Sequence, residues 1–174
     1  EALAAIAPYL SPTARRQALA EALAAALAIE ERYDRVVALV DLAPHLSDDL
    51  RWRALHEALT ATRSIPDESE RGRALVFLAP HLLEQHLPDA LADAYTILDP
   101  LERTPALSAL VPRLPEEPRL RVGKDVIETA RSVRPPHYKA GILAAIAPVL
   151  PAELIPEAVR VTDQIDTPYD RMHV

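Results

Sequence analysis

Apolar residues recur along this chain at offsets of 0, 3, 4 and 7, the pattern of one face of an α-helix. The stripe reads Leu39, Leu42, Ala43 and Leu46, then Leu75, Leu78, Ala79 and Leu82, then Leu107, Leu110, Val111 and Leu114, then Leu143, Ile146, Ala147 and Leu150. Leu3, Ile6, Ala7 and Leu10 hold the same register near the start. Four positions ahead of each later stripe stands a basic residue: Arg35, Arg71, Arg103 and Lys139, with Arg171 opening a further unit. The helix that this stripe predicts is helix A.

Each stripe contains a proline, at Pro8, Pro44, Pro80, Pro112 and Pro148. It falls in the last turn, where the missing N–H disrupts the hydrogen-bond ladder and ends the helix. Capping residues follow at once: Ser11-Pro12 reads as N-cap and first helical residue, and Ser47 as an N-cap ahead of Asp48 and Asp49. A second stripe then closes on Ile29, Ile65, Ile97, Val133 and Ile165. Ala26, Thr62, Ala94, Ala130 and Thr162 precede it by three residues, and Leu23, Leu59, Leu91, Ile127 and Val159 by six. This predicts a helix B in every unit. The copies after Pro80 and Pro148 are shorter by four residues, about one helical turn. Pro66, Pro100, Pro135-Pro136 and Pro168 lie in the B-to-A connections and stop helix B.

A period of 32–36 residues signals stacked supersecondary units, each too small to bury its own apolar face. The expected fold is all-α: an α-solenoid, wound as a right-handed superhelix, of about five helix-turn-helix repeats. A single domain over 1–174 is expected, with units at about 1–34, 35–70, 71–102, 103–138 and 139–170. The chain begins inside a unit at Glu1 and ends four residues into another at Val174, so it reads as a piece of a longer array. Uncapped ends of such an array are expected to favour end-to-end self-association.

Composition narrows the chemistry. Three glycines leave no room for glycine-rich phosphate loops, and 17 prolines suit many short helices. With no cysteine there are neither disulfides nor thiolate metal sites. A formal charge of −7 opposes nucleic-acid binding, which needs concentrated Lys and Arg. No apolar run approaches the ~20 residues that span a bilayer, so no membrane role is expected.

The phrase Ala38-Leu39-Val40-Asp41-Leu42-Ala43-Pro44-His45-Leu46 resembles the degenerate helical repeats found beside STAND-type (NACHT or NB-ARC) nucleotide-switch modules. The whole chain is similar to tetratricopeptide-like (TPR-like) and HEAT-like arrays of bacterial multidomain signalling proteins. The tetratricopeptide signature of Trp and Leu-Gly in helix A is missing, and HEAT repeats run longer. The resemblance implies a sensor or scaffold arm in the cytoplasm, with any NTPase domain lying outside this sequence.

Helix A has a second face, two, six and ten residues past the basic position. It reads Val37, Asp41, His45; Arg73, Phe77, His81; Pro105, Ala109, Arg113; Gly141, Ala145, Val149; Tyr9 belongs to the same row. A helices commonly line the concave side of hairpin solenoids. A row mixing Tyr, Asp, His, Arg and Phe suits a protein- or peptide-binding groove, for which Tyr9, Asp41, His45, Arg73, Phe77, His81 and Arg113 are the candidate residues. Ordinary half-exposed helix positions would also vary in this way.

Asp41, His45 and His81 form the nearest approach to a metal or catalytic trio. They lack a compact motif such as His-Glu-x-x-His, and the repeat itself explains the paired histidines, so no metal, cofactor or catalytic residue is assigned. His56 and His86 belong to no better constellation, and Trp52 reads equally as a surface plug or a partner anchor. The recurring basic residues stand beside Asp34, Glu70, Glu102 and Asp170. Their expected work is to neutralise these acids or cap the carbonyls of the preceding helix. The favoured function is a non-catalytic protein- or peptide-binding module. A structural spacer or self-assembly element is the alternative, and a lyase on HEAT-like repeats a more distant one.

Overall fold

The computed structural model describes residues 11–134 and 136–163. Among them the secondary structure is helical throughout: α1 (Pro12–Leu27), α2 (Arg32–Leu42), α3 (Asp48–Arg63), α4 (Glu68–Leu78), α5 (Leu87–Tyr95), α6 (Pro100–Leu110), α7 (Glu116–Ser132), α8 (Pro136–Ile146) and α9 (Ile155–Thr162). The A helices are α2, α4, α6 and α8, and each ends one residue before an Ala-Pro or Val-Pro pair. There the chain tightens into a 3-10 turn, at Ala43–His45, Ala79–His81, Val111–Arg113 and Ala147–Val149. Proline without an N–H fits this turn, which closes on the following leucine: Leu46 N–H donates to Ala43 O at 3.2 Å, and Leu114 N–H to Val111 O at 3.2 Å.

Local chemistry sets the helix starts. The Ser11 hydroxyl accepts from Ala14 N–H as predicted, whereas Ser47 occupies the N-cap of α3 without a side-chain capping bond. The A helices α4 and α6 are capped by Asp67 and Asp99, whose carboxylates accept from Glu70 N–H and Leu101 N–H, each at 2.8 Å. Pro100 and Pro136 stand at the first position of an A helix, so these prolines begin helix A rather than end helix B.

The shortened B copies lose more than a turn of α-helix. α5 and α9 have 9 and 8 residues against 16 or 17 in α1, α3 and α7. Each is entered through a 3-10 turn, Glu84–His86 or Ala152–Leu154.

Two compact units divide the chain, Glu1–Ala90 and Leu91–Val174, and the division falls within α5. In the first unit α2 packs against α1, α3 and α4, and α3 against α4. In the second, α8 packs against α6, α7 and α9, and α7 against α9. The predicted A stripe is the core: Leu39, Leu75, Leu107 and Leu143 are buried, as are Leu42, Leu78, Leu110 and Ile146. The B stripe holds at Leu59, Thr62, Ile65, Leu91, Ala94, Ile97, Ile127 and Ala130. It fails in α9, where Val159 is 53% exposed and Val161 is buried in its place, as is Leu154 of the 3-10 turn ahead of the helix. Val161 lies two residues past Val159, so the face that α9 buries is rotated from the one the repeat predicts. Ala147 is likewise exposed, and Ile165 lies outside the described residues.

Candidate protein-binding face

The second face of helix A follows from the first. With the stripe facing inward, positions two, six and ten past the basic residue turn away from it. None of the twelve described row positions is buried. Asp41, His45, Arg73 and His81 are exposed, Phe77 is half-buried, and Arg113 is half-buried. Tyr9 lies outside the described residues.

The first unit brings five of the seven candidates onto two helices that pack against each other. Asp41 and His45 lie on α2 and its closing turn, and Arg73, Phe77 and His81 on α4 and its closing turn. Phe77, the only phenylalanine, meets His81 one turn on, with ring centroids 6.1 Å apart and planes tilted by 47°. Among the described residues, no hydrogen bond or ion pair occupies Asp41, His45 or Arg73. The row therefore offers a cation and an aromatic ring on successive turns of α4 and an imidazole on its closing 3-10 turn. Arg113 belongs to the second unit, where the rest of the row is Pro105, Ala109, Gly141, Ala145 and Val149.

Arg35, Arg71 and Arg103, the basic residues that open three of the units, do different work. Arg35 Nε donates to the Ile29 carbonyl at 2.7 Å, Arg71 Nη1 to Ile65 O at 2.7 Å and Arg103 Nη1 to Ile97 O at 3.1 Å. Each accepts from a side chain six residues ahead, just past the end of helix B, which is the carbonyl-capping role expected from the sequence. Arg71 also pairs with Glu68 at 3.6 Å.

One cluster escaped the sequence reading. Trp52 and His56, one turn apart on α3, stack with ring centroids 5.0 Å apart and planes 7° from parallel. His86 joins them from the 3-10 turn ahead of α5, 5.7 Å from Trp52 and 6.3 Å from His56. The i,i+4 spacing of Trp52 and His56 was a readable signal. The arrival of His86 depends on the irregular turn in the shortened copy and had none.

Among the described residues, no three His, Cys, Asp or Glu side chains are grouped to hold a metal ion. No helix among them is long and apolar enough to cross a membrane. Among known proteins, no family model, curated sequence or solved structure matches this chain.

Proposed function

We propose that this chain is a non-catalytic protein- or peptide-binding module, built as an α-solenoid of about five helical repeats. The observation that carries the reading is the contrast between the two faces of helix A. One is a regular buried stripe of leucines; the other is an unburied row that changes chemistry from unit to unit. In the first unit the row sets exposed Arg73 and His81 on either side of half-buried Phe77, and arginine and aromatic side chains dominate binding energy at protein interfaces. The resemblance to repeats beside nucleotide-switch modules places the module, in this reading, as a sensor or scaffold arm of a larger signalling protein.

The test is partner capture by the intact chain, compared with an Arg73→Ala, Phe77→Ala, His81→Ala triple variant of matched helicity and melting. A partner held by the wild type and lost by the variant supports the reading. A partner that survives the triple change rules out this row as the site. If deleting a whole repeat alters function while row substitutions are silent, the spacer reading replaces it.

A further inference from the structure

The shortened B copy after Pro80 leaves Glu84-Gln85-His86 wound as a 3-10 turn that begins three residues beyond His81. His86 is 2% exposed. Its Nδ1 accepts the backbone N–H of Leu83 at 3.4 Å, so the imidazole braces the turn that carries it. That bond requires an unprotonated Nδ1 and places the ring's single proton on Nε2. Nε2 is buried and has no hydrogen-bond partner. The ring's aromatic neighbours are Trp52 and His56 of α3.

We propose that His86 is an acid-sensitive latch, and that its protonation releases the Glu84–His86 turn from α3. Three consequences of one added proton act together. Nδ1 changes from acceptor to donor and faces another donor, the Leu83 N–H. A positive charge appears on a side chain sealed from water. That charge faces the His56 ring, whose centroid lies 6.3 Å away.

The charged groups acting on His86 are His56, from α3, and Asp89, from the first turn of α5. Asp89 favours the protonated ring but is exposed, so solvent screens it. Burial first, then His56, hold the imidazole below its ordinary value of 6.5. The folded turn therefore binds fewer protons than the unfolded chain. Its stability is complete above about pH 6.5 and is lost as the pH falls below that value.

Trp52 is the only tryptophan, so its emission reports on this cluster in the full-length chain. Acidification from about pH 7.5 to about pH 5, the range in which histidine titrates, should shift that emission. Over the same range, amide exchange at 83–86 should quicken beyond the intrinsic pH effect. His86→Asn keeps an acceptor oxygen near Nδ1 and cannot titrate, so its amide exchange should show no such transition. His56→Gln should retain the exchange transition with a smaller emission change. Unchanged protection at 83–86 across the range, or a His86→Asn chain that responds like the wild type, overturns the proposal. Should His86→Asn fail to fold, ring-nitrogen NMR of wild-type His86 decides instead. A midpoint below 6.5 that moves with the Leu83 amide supports the latch. A midpoint at or above 6.5, or a Leu83 amide that does not follow it, refutes it.

Discussion

Arg71 Nη1 donates to the carbonyl of Ile65 at 2.7 Å, tying the start of α4 to the residue that closes the stripe of α3. Arg35 and Arg103 make the same bond to Ile29 and Ile97. The carbonyls just past a helix end have no partner within the helix, and a guanidinium six residues on supplies one. The basic residue of these units is thus a brace across the B-to-A connection. In the first unit the row that starts two residues later takes no part in this brace.

Arg71 and Arg73 should behave oppositely. Arg71→Ala removes a charge-assisted hydrogen bond from a side chain only 12% exposed and should cost about 1.5–3 kcal/mol in urea unfolding. Arg73→Ala, on an exposed position, should stay within about 0.5 kcal/mol. Equal costs would contradict the division between brace and row.

Leu78 is fully buried, and truncation to alanine should cost about 2–5 kcal/mol through lost burial and an unfilled cavity. Leu98, 77% exposed, should lose no more than about 0.5 kcal/mol on the same change. Denaturation midpoints of the two variants check this directly.

The glycines in α8 and α7 should respond with opposite sign. Gly141 lies within α8, where an added Cβ meets only Leu101 Cδ2 at 3.4 Å, so Gly141→Ala should stabilise by about 0.5–1 kcal/mol. At Gly123 the added Cβ would lie 2.6 Å from Cδ1 of buried Leu154. Overpacking of about 1–3 kcal/mol then exceeds the gain in helix propensity, and the melting temperature should fall.

Tyr95 Oη donates to Asp125 Oδ2 at 2.7 Å within the second unit. Burial of the phenol, then this hydrogen bond and the nearby carboxylate charge, push its ionisation well above the ordinary value of 10.0. Folding thus favours the protonated phenol, a contribution intact below about pH 10 and lost as the pH rises through the folded-state value. In an ultraviolet titration one tyrosine should ionise late, and Asp125→Ala should bring it back toward the others. A Tyr95 that titrates normally in the wild type would contradict this.

Much of the fold was legible because a 3.6-residue period leaves its mark on every turn. Leu39, Leu75, Leu107 and Leu143 could be placed in the core from spacing alone. Legibility ended where the chain leaves that period. The Ala-Pro pairs wind 3-10 turns instead of a last α-helical turn, and the shortened copies enter α5 and α9 through further 3-10 turns. Val159 shows the consequence: its register follows the repeat, but α9 buries Val161 instead. On the candidate face, the unburied state of Asp41, His45, Arg73 and His81 followed from their offset. The Trp52–His56–His86 cluster joins a helix to an irregular turn some thirty residues away, and local sequence carries no record of such a contact.

The most direct measurement of where this chain binds is a hydrogen-exchange footprint of the captured partner on the intact protein. The account predicts added protection at 41–45 and 73–81, with 52–56 of α3 unchanged. Protection confined to the segments around Trp52 and Tyr95, with the A-helix row exchanging as in the free protein, would contradict it.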